Sequence, residues 1–109
     1  MERKPVFWLA EAFKTPPFTA EGRKVAGVLL GLLQDGERLG MPYSRPLPTV
    51  GQRCHELRVR DASHQWRIVY RIDPEFIIVA HVFAKKGKGM QQREFASAAR
   101  ILRDYDACK

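Results

Sequence analysis

The sequence predicts one small α+β domain spanning residues 1–109: an antiparallel-rich, curved sheet of about four strands with two or three helices packed on one face. Three observations predict it. A chain of 109 residues suits a single core. Apolar residues recur at helical spacing in two separate stretches. Between those stretches the period switches to two, in three runs joined by short turns, as in consecutive antiparallel strands.

The elements follow in order. Residues 5–9, PVFWL, read as a first strand. Lys14-Thr15-Pro16-Pro17 is a break, since proline cannot continue a ladder. Thr19 is placed to cap a helix over residues 20–34, whose stripe is Val25, Val28, Leu29, Leu32 and Leu33. Asp35-Gly36 stops it, glycine taking the left-handed position. Residues 40–51 contain Pro42, Pro46 and Pro48 and read as a connecting loop. CHELRVR, residues 54–60, alternates, with His55, Leu57 and Val59 on one side and Glu56, Arg58 and Arg60 on the other. QWRIVYRI, residues 65–72, places Trp66, Ile68, Tyr70 and Ile72 opposite Arg67, Val69 and Arg71. Residues 61–64 join these two runs as a hairpin, and Asp73-Pro74-Glu75 makes the next turn. FIIVAHVF, residues 76–83, is apolar on both faces, as in a covered central strand. Phe95, Ala98, Ala99 and Leu102 mark a closing helix over about residues 91–105.

Composition narrows the function classes. Hydrophobic residues make up 45% of the chain, enough to build a core, which sets disorder aside. No apolar run approaches the roughly 20 residues that span a bilayer, and no secretory signal is read at the N-terminus. A cytoplasmic protein without membrane partners is expected. Cys54 and Cys108 then read as free thiols. Cys54, His55 and His64 lack the count and spacing of a zinc site, so no metal and no cofactor is expected. The net charge is +7, with thirteen Lys/Arg against seven Asp/Glu in residues 45–109. A basic excess gathered in one region points to a polyanion, nucleic acid first.

Strand register locates part of that excess. With Leu57, Val59, Trp66, Ile68 and Tyr70 under the helices, Glu56, Arg58, Arg60, Arg67 and Arg71 emerge together on the far face. Arginine's planar fork matches phosphate oxygens, and one glutamate cannot neutralise four of them. Where the last strand ends, Lys85, Lys86 and Lys88 alternate with Gly87 and Gly89, and the glycines are expected to let the backbone bend and approach a ligand. The nucleotide P-loop pattern is absent. Among the aromatic residues, Phe7 and Trp8 are candidates to stack on bases, and Trp66 reads as core.

HELRVRDASHQWRIVYRID, then FIIVAHVFAKKGKG, then a glutamate and a helix, resembles the RelE/ParE toxin superfamily, its phage-derived HigB-like branch most closely. The resemblance covers residues 54–105 and implies a RelE-like fold. It implies the toxin of a type II toxin–antitoxin pair, an endoribonuclease cutting mRNA on the ribosome, held in check by a cognate antitoxin that is a small DNA-binding protein. It also leaves room for a ParE-like gyrase inhibitor without catalysis, because one fold carries both activities. A basic nucleic-acid-binding domain without enzymatic activity is a third reading, from charge alone.

Carried onto this chain, the resemblance implies Arg67 at the scissile phosphate, Arg58 on the neighbouring strand, and Lys85 and Lys86 after the apolar strand. Glu56 and His81 fall on recurrent positions. RelE-like relatives use a tyrosine near the last helix; here the matching position is Phe95 or Gln92. HigB-like relatives often continue K-K-T-x-K-T-P, where this chain has Lys85-Lys86-Gly87-Lys88-Gly89-Met90-Gln91, with the last lysine shifted by one and the proline missing. Metal-free RNA cleavage needs a base for the 2′-hydroxyl, cations on the five-coordinate phosphorus and an acid for the leaving 5′-oxygen. Arg67 and Arg58 suit the cations, Lys85 or Lys86 the acid, and Glu56 or His81 the base. Arg60, Arg71 and Lys88 are expected to bind flanking phosphates. Alternation places His81 with Ile77, Val79 and Phe83 on an apolar strand, where a satisfied core histidine is the competing reading.

Overall fold

A computed structural model describes residues 3–9, 18–62 and 64–108. Strand β1 is Val6–Trp8, followed by helix α1, Ala20–Gln34. Strands β2 (Ser44–Pro46), β3 (Cys54–Arg60), β4 (Gln65–Ile72) and β5 (Ile77–Ala84) come next, and helix α2, Lys88–Ala107, closes the chain. The five strands form one mixed sheet in the order β1-β5-β4-β3-β2. β3, β4 and β5 make an antiparallel meander, and β1 joins β5 in parallel. The proline break at residues 14–17 lies outside the described residues.

β2 was not expected. The proline-rich stretch reads as a loop, yet Ser44, Arg45 and Pro46 pair with Leu57, Glu56 and His55. Proline is tolerated there because β2 is the sheet edge, where no outer neighbour needs its missing N–H.

The helices also depart from expectation, since they cover opposite faces. α1 packs Ala26, Leu29, Leu30 and Leu33 onto Leu57, Val59, Ile68, Tyr70, Ile77 and Val79. α2 packs Ala98, Ile101 and Leu102 onto Val69, Ile78, Ala80 and Phe83. A central strand apolar on both sides requires a cover on both sides, and one helix supplies each.

The ends of α1 follow the sequence. Thr19 Oγ1 accepts a hydrogen bond from the Gly22 amide at 3.2 Å, and Gly36 holds φ 89° just past the stop. Its buried stripe is rotated from the expected one: Val28 is 63% exposed and Leu32 is also outside the core. The run VLLGLL offers apolar residues on almost every face, so spacing alone does not choose between them. Trp66 is core, as read, and donates its indole N–H to Asp61 Oδ2 at 2.8 Å. Phe7 sits at the β1 edge against the rings of Phe76 and Tyr105.

In β5, Tyr70 pairs with Val79 while Val69 pairs with His81, leaving Ala80 as an extra residue. This β-bulge reverses the alternation beyond it. His81 therefore joins Ile78 and Phe83 on the α2 face, opposite Ile77 and Val79, and strict alternation fails at that point.

Candidate functional site

The α2 face of the sheet has two halves. α2 covers the apolar half, over Val69, Ile78, Ala80 and Phe83. Beyond the start of α2 the same face is charged. Arg58 and Arg67 are cross-strand partners, and Arg45 on β2 pairs with Glu56 on β3.

Glu56 is the hub of this half and is 0% exposed. Its Oε1 accepts hydrogen bonds from Arg45 Nε at 3.0 Å and Arg58 Nε at 3.3 Å. Arg67 Nε stands 3.6 Å from the same oxygen. Gln91 of α2 donates to Oε2 at 3.2 Å. One carboxylate thus fans three guanidiniums outward and leaves a local positive surplus.

Arg67 is the most deeply set of the three, at 4% exposure. Its Nη1 donates to the Trp66 carbonyl at 3.3 Å, while its Nε is buried without a hydrogen-bond partner. Burial pushes this guanidinium below its ordinary pKa; Glu56 opposes the shift, and Arg58, Arg45 and Arg60 add to it. A buried donor left unpaired is destabilising in the free protein, and such a group marks a functional candidate.

The three arginines wall a cavity of about 400 Å³ together with Lys85 and Lys88, and Gln91, Gln92 and Phe95 of α2 complete it. The helix begins earlier than the sequence suggests, so KKGKG is divided. Lys85, Lys86 and Gly87 link β5 to α2, and Lys88 and Gly89 form its first turn. Gly87 is the N-cap in extended backbone, without a side-chain cap, and no acidic residue occupies the first turn. The unsatisfied amides of this helix end and its positive dipole end add to the lysines beside the cavity. The two glycines are not needed for an unusual backbone: Gly36 is the described glycine with positive φ, and a Cβ at Gly87 or Gly89 would meet nothing.

The structure sorts the expected site residues. Arg67, Arg58, Lys85 and Lys88 are brought together at one cavity. Lys86 is exposed on the linker and does not line it. Glu56 lies beneath the arginines with both oxygens engaged, so it organises the site and offers no free face to a ligand. His81 lies behind, bonded through Nε2 to Glu94 of α2, with Nδ1 buried and unpartnered. Arg60 lines a neighbouring cavity. Arg71 is at the other end of the face, gripped by Asp73 and Asp106. Arg45 and Gln91 were missed. Arg45 sits in a stretch that reads as loop, and both residues join the site by bonding to Glu56 and lining the cavity.

Cys54 is buried and Cys108 exposed, both free. Among the described residues no group of three or more His, Cys, Asp or Glu gathers to hold a metal ion, and no helix is long and apolar enough to cross a membrane.

Residues 17–103 match the family described as phage derived protein Gp49-like (DUF891). Neither the curated proteins nor the solved structures contain a match to this chain.

Proposed function

The chain belongs to the phage-derived Gp49-like family, a RelE/toxin-like family in general, and we propose that it is an endoribonuclease toxin that cuts mRNA on the ribosome. The observation that carries this reading is Arg67: a buried guanidinium with an unpartnered Nε, set in the wall of a cavity also lined by Arg45, Arg58, Lys85 and Lys88. A gyrase-binding surface has no need of a recessed, unsatisfied cation.

In this reading the scissile phosphate enters the cavity and its oxygens take hydrogen bonds from Arg67 and Arg58, with Arg45 beside them. The 2′-hydroxyl attacks the phosphorus, forming the 2′,3′-cyclic bond, and the 5′-oxygen departs. The fixed guanidiniums stabilise the charge that grows on the five-coordinate phosphorus, the larger share of the catalysis. Lys85 or Lys88 delivers the proton to the departing oxygen. No carboxylate or imidazole is among the described residues that line the cavity, so the 2′ proton passes to solvent. Glu56 and His81 act as positioning residues: Glu56 aims the arginines, and His81 ties α2 to β5 through Glu94. The partner that restrains the toxin is a cognate antitoxin, and the compartment is the bacterial cytoplasm.

The test is transcript 5′-end mapping after brief induction of wild type and Arg67→Ala in bacteria. New ends inside translated regions, lost by at least about 10²-fold in the variant, are expected. Growth arrest without new ends would replace the nuclease with a gyrase-type inhibitor. An Arg67→Ala protein that cuts as well as wild type would remove the phosphate site.

A further inference from the structure

A second cavity, of about 430 Å³, adjoins the first and shares Arg58 and Arg67 with it. The β2–β3 register ends at Ser44 and Leu57, Arg58 N–H still donates to the Tyr43 carbonyl at 2.8 Å, and Val59 and Arg60 run on past this edge as part of the cavity wall. Val25 and Leu29 of α1 give it an apolar side. Tyr43, 53% exposed, stands at its mouth beside Pro42. Gln65 and Arg60 complete the polar side. The expected phosphate site uses neither Tyr43 nor Gln65.

We propose that this second cavity is a nucleobase subsite, taking the base adjacent to the phosphate held between Arg58 and Arg67. The inference rests on the RNA reading above. The shared wall is what argues for a nucleotide over a peptide: the two arginines separating the cavities can hold a phosphate while the attached base falls to the other side. The lining carries three guanidiniums and, among the described residues, no carboxylate. An exposed tyrosine ring offers a stacking face to any base, and a glutamine amide carries both a donor and an acceptor for a base edge. The volume falls in the range of small-ligand pockets. Only an unpaired base can enter, because a duplex keeps its bases stacked inside. The substrate class is therefore single-stranded RNA crossing the sheet margin, phosphate on the α2 side and base toward α1.

The experiment is fluorescence anisotropy of the purified full chain with two labelled probes. One is a single-stranded hexaribonucleotide carrying 2′-methoxy groups, which cannot be cleaved; the other is the same backbone with abasic positions. Tyr43→Ala is expected to weaken the base-bearing probe about ten-fold and leave the abasic probe unchanged. Tyr43→Phe is expected to bind as wild type. Arg67→Ala is expected to weaken both probes. If Tyr43→Ala binds the base-bearing probe as wild type does while Arg67→Ala does not, the subsite falls and the RNA reading stands; the cavity then serves a protein partner. If wild type binds neither probe, the subsite falls, and the RNA reading is decided separately by the transcript ends; if Arg67→Ala changes neither probe, the phosphate site between the arginines falls and the subsite with it.

Discussion

Arg67 and Arg71 leave the same strand on the same face, four residues apart, and their surroundings differ completely. Both are buried. Arg71 donates to Asp73 Oδ1 at 2.7 Å and Oδ2 at 2.9 Å, and to both oxygens of Asp106 at 2.8 Å. The Tyr105 ring lies 6.0 Å away. The two carboxylates raise its pKa and hold it charged, hydrogen bonds to Asp106 leading. Arg67 shares a single carboxylate with Arg45 and Arg58 and keeps one donor unpaired. One arginine clasps the C-terminal end of α2 to the sheet; the other lines the cavity beside its N-terminal end. Equal burial of two like residues therefore says little about role, and the balance of charge around each says more.

Replacing the clasp should have the largest effect on stability. Arg71→Ala removes the guanidinium that joins buried Asp73 to Asp106, and breaking such a buried pair costs about 3 kcal/mol, with Arg53 at 3.5 Å still beside Asp73. Arg67→Ala should change stability by no more than about 1 kcal/mol, because Glu56 keeps two guanidiniums and a buried unpaired donor disappears. Urea denaturation of the two variants measures the contrast. Equal midpoints would mean that both arginines serve the fold alike.

A smaller effect is expected where the charged half loses its hub. Glu56→Gln removes the one negative charge among three guanidiniums and should destabilise the protein by about 1–3 kcal/mol at low salt. Inorganic phosphate is expected to bind the folded site alone, and should then raise the midpoint of this variant more than that of wild type. Identical phosphate shifts in both would place the anion elsewhere.

Much of this division was legible in the sequence, and the illegible part has physical causes. The meander, the turn chemistry and the face assignments of β3 and β4 follow from strict alternation, which puts Arg58 and Arg67 together. Arg71 shares their face and reads as one of the group, because period-two reasoning fixes a side of the sheet and not a neighbour. Its partners Asp73 and Asp106 come from a turn and from the far end of the chain. Arg45 was hidden by prolines that an edge strand tolerates. Strict alternation puts His81 on the wrong face, because one bulged residue inverts a period of two. The second cover for β5 was implied by its unbroken apolar run, and the expectation of helices on one face overlooked it.

Tyr70 lies between the two arginines in the chain and points to the opposite face, which makes it the uncharged control on the same strand. Its hydroxyl and that of Ser44, both buried, lie 2.7 Å apart. Burial raises the phenol above its ordinary pKa, and the Ser44 hydrogen bond opposes part of the rise. The folded state therefore keeps this proton longer than the unfolded chain does. The contribution is fully present below about pH 10 and is lost as pH climbs through the folded value. Tyr70→Phe should cost about 1 kcal/mol near neutral pH, for the lost hydrogen bond, and should lose less stability than wild type above pH 10. Denaturation curves at neutral and alkaline pH decide it: if wild type and variant decline in parallel, the alkaline loss comes from elsewhere, the charged face included.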